Sequence, residues 1–175
     1  MINLKLIASD PNVSSIKIPE ITYTKKGDKE WRVNGLLHRE DGPAVEYANG
    51  DKYWYLNGEL HRERGPASEK VNGDKYWYIN DKLHRKNGPA IEYANGDKSW
   101  YINGEAHRED GPATEKVNGT KYWFINGEFH REDGPAMEFK DGSKAWYLNN
   151  EEIEYDPETW DQLVQESHIE HVMDE

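Results

Sequence analysis

The sequence predicts a mainly β protein: an elongated antiparallel array of short hairpins with one capping α-helix at its C-terminal end. Three observations carry this reading. Tryptophan recurs every 23 residues, each period contains two turn signals, and the β pattern gives way to a helical one near residue 156.

The tryptophans stand at 31, 54, 77, 100, 123 and 146. His38, His61, His84, His107 and His130 keep the same step, and each is followed by an arginine: Arg39, Arg62, Arg85, Arg108 and Arg131. Gly-Pro-Ala then follows at 42–44, 65–67, 88–90, 111–113 and 134–136. Self-similarity at a fixed step marks a stacked repeat, in which each unit buries its apolar surface only against its neighbours.

Composition agrees once it is divided along the chain. The 175 residues are only 35% hydrophobic and carry a formal net charge of −12, values close to those of disordered chains, yet 12% are aromatic. Residues 1–26 sum to +2, residues 27–148 to −4, and the last 27 to −10, so the repeat is nearly balanced and the acidity is concentrated at one end. With no cysteine there is no disulfide framework, thiolate nucleophile or zinc ribbon, and a reducing, cytoplasmic location is expected. No segment approaches the ~20 apolar residues of a membrane helix. The acidic total disfavours direct contact with nucleic acid or anionic lipid.

Residues 1–26 read as an N-terminal β cap over the first open edge. Ile2, Leu4 and Leu6 alternate with polar residues, Asp10-Pro11-Asn12 makes a turn, and Ile16, Ile18, Ile21 and Tyr23 resume β character.

Residues 27–150 hold the repeats, one of which runs from Ala44 to Pro66. Asn49-Gly50 and Asn57-Gly58 both read as type I′ hairpin turns, which need positive φ at both central residues. Where glycine is replaced, Asp81 and Asn150 stand in, and these tolerate that conformation. Between the turns, Lys52 to Leu56 reads as one strand. Trp54 and Leu56 point to one face as the main buried stripe, and Tyr53 and Tyr55 to the other. The stretch from Glu59 to Ala67 is either two strands broken at Gly65-Pro66 or one strand kinked there. Val45, Ile91 and Met137 alternate with Ser68 and Thr114, and Tyr47, Tyr93 and Phe139 with Lys70 and Lys116, a 46-residue super-period. Duplication of an ancestral pair and a true alternation of neighbours both account for it.

Residues 151–175 read as an acidic amphipathic helix. Asp156 is the N-cap, Pro157 the first helical residue, and Trp160, Leu163, Val164, Ser167, His168 and His171 recur at helical spacing. Ten acids and no Lys or Arg fall between 149 and 175. The helix is either a cap on the last repeat or an acidic docking element for a basic surface.

The unit resembles the MORN repeat in its Trp, its Asn-Gly and the interval from Asn57-Gly58 to His61. It departs from it in having Arg rather than Gly after the histidine, and a shorter Tyr-to-Trp interval. Units reading His-Arg-Glu-Asp-Gly-Pro-Ala are also similar to those of phage, giant-virus and bacterial proteins. The resemblance covers residues 27–150 and implies a binding or scaffolding sheet without activity of its own. A viral or phage protein acting on a host protein is consistent with it.

The chemistry of the residues points the same way. Equivalent histidines of units that add two paired strands each are ~10 Å apart, too far to share a metal ion ~2 Å from its ligands. No carboxylate pair stands apart from the repetition as a general acid and base would, and no phosphate loop or nucleophile elbow occurs. No enzyme, cofactor or metal is expected. The expected partner is another protein, with a homodimer as a further possibility. The candidate binding residues are Arg39, Arg62, Arg85, Arg108, Arg131, Tyr55, Tyr78 and Tyr101 on the repeats and Glu158, Asp161, Glu166 and Glu170 on the helix. Two alternatives stay open: an acidic, nucleic-acid-mimicking inhibitor of a host defence or nucleic-acid-binding protein, and capture of a small ligand between Tyr and Arg of adjacent units.

Overall fold

The computed structural model describes residues 19–173, with side chains described from 19 to 168. The strand and turn expected over residues 2–18, and the side chains of Glu170 and His171, lie outside the described residues. The chain is an open antiparallel β array with one C-terminal helix. Among the described residues, no helix is long and apolar enough to cross a membrane.

β1 (Glu20–Tyr23) pairs with β2 (Lys29–Val33), on which β3 (Leu36–Leu37) folds back. The next unit sets the pattern with β4 (Val45–Glu46), β5 (Lys52–Tyr53), β6 (Tyr55–Leu56) and β7 (Glu59–Leu60). β4 lies between β2 and β5, and β5 between β4 and Ser68–Glu69, so every unit adds two strands to one continuous ladder. β6 and β7 form a hairpin beside it. Gly65-Pro66 therefore breaks the ambiguous segment into two strands that belong to different rows. An even number of ladder strands per unit leaves all units facing the same way. β1 takes the place that β4 takes in the next unit, so among the described residues the array begins at Glu20, and Glu151–Ile153 completes the last hairpin.

Tryptophan is where the chain changes rows. The Trp54 N–H donates to the Ala67 carbonyl (2.8 Å), while the Trp54 carbonyl accepts the His61 N–H (3.0 Å). Its amide thus serves the next unit and its carbonyl its own hairpin, which divides the strand expected over Lys52–Leu56 into β5 and β6. Trp77, Trp100 and Trp123 repeat the arrangement, and Trp31 makes the same two bonds within the undivided β2. The side hairpins are joined as well, through Gly58 N–H to Leu37 O (2.8 Å) and Arg39 N–H to Tyr55 O (3.1 Å).

The two turns of a unit differ in kind. Asn57 and Gly58 have φ of 53° and 90°, as a type I′ turn requires, and Asn80-Asp81 and Asn149-Asn150 follow suit. At the other turn only Gly50 is left-handed (φ 98°), and the Tyr47 N–H reaches the Asp51 carbonyl (2.9 Å) around a three-residue loop. The expectation of a second type I′ turn at Asn49-Gly50 is therefore corrected. Asn49 uses its side chain instead, accepting the Asp51 N–H at 2.9 Å.

The core also differs from expectation. Ala44, Ala67, Ala90, Ala113 and Ala136 have no exposed surface, whereas the repeat tryptophans and their aliphatic partners are half-buried apart from the buried Leu148. The small residue of Gly-Pro-Ala, not the Trp/Leu stripe, is the most enclosed position, because its carbonyl is clamped by the indole-bearing residue of the preceding strand. A single-layer array has no second sheet to cover large side chains.

The super-period has a structural expression. Tyr47 packs edge-on against Tyr53 (5.4 Å), Tyr93 against Tyr76 (6.0 Å) and Phe139 against Tyr122 (6.0 Å). Lys70 lies over Tyr53 and bonds its hydroxyl, and Lys116 lies over Tyr122. Aromatic and cation alternate over the same row of tyrosines.

The helix expected over 151–175 from Pro157 onward is corrected: Glu151–Ile153 is a strand, and helix α1 (Trp160–Met173) follows a turn in which Asp156 accepts the Glu158 N–H through Oδ1 (2.9 Å) and the Trp160 N–H through its carbonyl (3.0 Å). Trp160 and Ser167 are buried, Leu163 and Val164 half-buried, and Glu158, Asp161 and Glu166 exposed. The helix caps the last unit with its apolar side.

Candidate interunit cleft surface

The His-Arg-x-x-Gly-Pro-Ala segment acts as one device. Arg62 lays its guanidinium on the Trp54 ring (3.9 Å), donates to the Pro66 carbonyl (3.0 Å) and pairs with Glu69 (2.9 Å). A Cβ at Gly65 would lie 3.0 Å from the Arg62 Cζ, so glycine leaves the space the guanidinium occupies. The same contacts recur for Arg39 on Trp31, Arg85 on Trp77, Arg108 on Trp100 and Arg131 on Trp123. Each arginine is a staple between its own hairpin and the Glu of the following strand. Glu69 is the acid used; Glu63 forms no ion pair with it.

The histidines and turn acids join neighbouring units. His38 Nδ1 accepts the Asn57 backbone N–H (3.1 Å), and His84, His107 and His130 treat Asn103, Asn126 and Asn149 alike. Asp51 accepts the Val71 N–H (2.8 Å) and Asp74 the Ala94 N–H (2.7 Å). Those backbone donors hold the Asp51 and Asp74 carboxyls below the usual aspartate range, as the Ala48 N–H does for Asp28.

Between an arginine loop and the Trp, Leu or Ile, and His of the next unit lies an open cleft at three places along the array. Arg39, Pro43, Trp54, Leu56, His61 and Arg62 line one of ≈ 510 Å³, and Arg62, Gly65, Trp77, Ile79, His84 and Arg85 another of ≈ 540 Å³. Arg108, Pro112, Trp123, Ile125, His130 and Arg131 line a third of ≈ 750 Å³. The expected arginines are thus all brought to one face. The expected tyrosines are not: Tyr55, Tyr78 and Tyr101 line none of these clefts and lie half-buried on the other face, where burial pushes their phenols up. Arg and Tyr of adjacent units do not converge on a common site. Among the described residues, no group of three His, Asp or Glu is disposed to hold a metal ion.

Two features went unread in the sequence. First, the last unit has no arginine for Trp146, and Tyr155 stacks on that ring instead (4.6 Å, 14° between planes). Trp160 packs on Tyr155 and donates its indole N–H to the Glu132 carbonyl (2.7 Å), while the Glu132 carboxylate receives His168 (2.7 Å) and His130 (3.2 Å). The His168 hydrogen bond holds the Glu132 carboxyl below its usual range despite partial burial. Second, the loop pair Glu-Asp at 40–41, 109–110 and 132–133 becomes Glu63-Arg64 and Lys86-Asn87 in the two central units. The broken pattern was visible in the sequence, but its meaning needed the loops placed side by side. Compared with known proteins, the chain matches no family model and no curated protein.

Proposed function

We propose that this protein is a non-enzymatic, MORN-like binding array that works in the cytoplasm, and that it holds another protein along the face carrying the interunit clefts. The observation that carries this reading is the row of open, similarly shaped clefts, each with an indole and an aliphatic floor and charged loops at its rim. Such surfaces suit an extended partner, because a repeat array presents the same recognition elements at regular intervals. Half-buried aromatic floors beside arginine are also the composition of interface hot spots. Affinity capture from native host extract tests the proposal. The expected result is a stoichiometric protein partner, resistant to nuclease, that protects the cleft tryptophans from acrylamide quenching. A partner that leaves that quenching unchanged overturns it.

The exposed acids Glu158, Asp161 and Glu166 support a second reading, an acidic inhibitor that occupies the basic site of a nucleic-acid-binding or host-defence protein. Under it, Glu158→Gln with Asp161→Asn and Glu166→Gln abolishes capture; under the first reading capture survives.

A further inference from the structure

The five arginine loops share the arginine-on-tryptophan contact but not a charge. Glu40-Asp41, Glu109-Asp110 and Glu132-Asp133 each contribute −2, Glu63-Arg64 contributes 0, and Lys86-Asn87 contributes +1. The difference reaches the staples. Arg39, Arg108 and Arg131 direct Nε to Asp41, Asp110 and Asp133 at 2.7–2.8 Å. Arg62 and Arg85 face Arg64 and Asn87 at that position, and among the described residues their Nε groups have no acceptor. Arg64 and Lys86 are exposed, and neither forms an ion pair among the described residues.

The cleft lined by Arg62, Glu63, Trp77, His84, Arg85 and Lys86 therefore sums to +2 with histidine neutral. Its counterpart with Arg108, Glu109, Asp110, Arg131, Glu132 and Asp133 sums to −2. Two sites lined by equivalent Arg, Trp, Ile and His residues differ by four charges in a chain whose net charge is −12. The charge change goes with a change of backbone, since Gly65 and Gly88 have φ of 123° and 125° while Gly42, Gly111 and Gly134 do not have positive φ, yet the arginine-on-tryptophan contact is the same in both forms. The two arginines are ~10 Å apart, the rise of two ladder strands.

The last unit shows what such a loop receives. There the backbone carbonyl of the residue after the arginine, Glu132, takes the Trp160 indole N–H. The equivalent carbonyls of Glu63 and Lys86 accept no hydrogen bond among the described residues.

We infer that the cleft between the second and third arginine loops binds an acidic segment of a partner protein that also carries an aromatic residue. Its carboxylates meet the open Nε donors of Arg62 and Arg85 and the charge of Lys86, and its ring lies against Trp77 and Ile79. Arginine forks on carboxylate give both direction and strength to such a contact. The inference rests on the cleft-face reading above and sharpens it to one cleft and one partner chemistry.

The test uses the full chain and a fluorescein-labelled peptide with the sequence of residues 156–173, which supplies acids and a tryptophan. The comparison protein carries Lys86→Glu and Asn87→Asp, which put the residues of the three acidic loops at two equivalent positions that line this cleft. Far-UV circular dichroism and the unfolding midpoint verify it. The expected result is saturable binding to the wild type that weakens at least tenfold in the variant, with 0.5 M salt, and when the peptide acids are replaced by Gln and Asn. Equal binding to both proteins, equal binding of the neutral peptide, or binding of inorganic polyphosphate that the peptide does not displace overturns the inference. Sedimentation showing that the wild type self-associates and the variant does not also overturns it, assigning the cleft to a second copy. A captured partner held equally by wild type and variant contradicts this cleft while sparing the cleft-face reading. Failure to protect the cleft tryptophans overturns the latter whatever the peptide does.

Discussion

Removing one arginine staple tests whether the histidine-arginine motif is structural. Arg108 lies on Trp100 at 4.0 Å and bonds Asp110 (2.8 Å), the Pro112 carbonyl (3.2 Å) and Glu115 (2.7 Å), with only 20% of its side chain exposed. In Arg108→Ala the ring contact is lost, at about 1 kcal/mol for a part-desolvated cation on an indole. The proline carbonyl loses its donor, at about 1 kcal/mol. Asp110 is 86% exposed and its pair is left out of the sum, while the pair with Glu115, 39% exposed, is discounted to about 0.5 kcal/mol. The sum is about 2.5 kcal/mol. Arg108→Lys keeps the charge but cannot span ring, carbonyl and two carboxylates, so about half the loss is expected. The assay is urea unfolding followed by tryptophan fluorescence and, independently, by far-UV circular dichroism. Departure of the two curves from each other reports partial unfolding of the array rather than a two-state change. A loss under about 0.5 kcal/mol, or a lysine variant as stable as the wild type, refutes the stapling argument.

Other perturbations follow from the same contacts. Gly42 does not have positive φ, and a Cβ there would lie 2.7 Å from the Arg39 Cζ; Gly42→Ala should therefore destabilise by about 1–2 kcal/mol, and by much less in an Arg39→Ala background, as a double-mutant cycle would measure. Ala90 is fully enclosed, so Ala90→Leu is expected to cost about 1–3 kcal/mol by overpacking, read from the shift in urea midpoint. Because Asp28, Asp51 and Asp74 are depressed in the folded state, their contribution is fully present above the unfolded aspartate value near pH 4 and is lost as pH falls through the lower folded values. Unfolding midpoints between pH 5 and pH 2.5 should fall less steeply in Asp74→Asn than in the wild type. Trp160→Ala removes a 93%-buried anchor and should free the helix, seen as protease cleavage after residue 155 while the repeats stay folded.

How much of this was legible in the sequence depended on whether a residue acts locally. The type I′ turns followed from Asn57-Gly58 and its variants because positive φ is a local demand. At Asn49-Gly50 the same dipeptide makes a three-residue loop, since the pairing of the flanking strands, not the dipeptide, sets loop length. The division of the Lys52–Leu56 strand at Trp54 was hidden because it arises from a carbonyl 13 residues later, that of Ala67. The arginines' place on one face was legible from their 23-residue step. Their alignment with Tyr55, Tyr78 and Tyr101 was not readable, because the face a side chain takes depends on where the strand bends. Tyr155 could not be recognised as the substitute for an arginine until its ring was seen on Trp146. Repetition hid as much as it revealed: Arg64, Lys86 and Asn87 are departures from a pattern that otherwise reads as scaffold.

The central claim is that the cleft face, not the tyrosine face, the exposed turn tips or the acidic helix, meets the partner. A photo-crosslinking residue placed singly at the exposed positions Glu63, Asn87, Val71 and Glu158 tests it most directly. Covalent adducts with the captured partner from 63 and 87, and none from 71 or 158, are the predicted result. Adducts from 158 or 71 with none from 63 and 87 would contradict it.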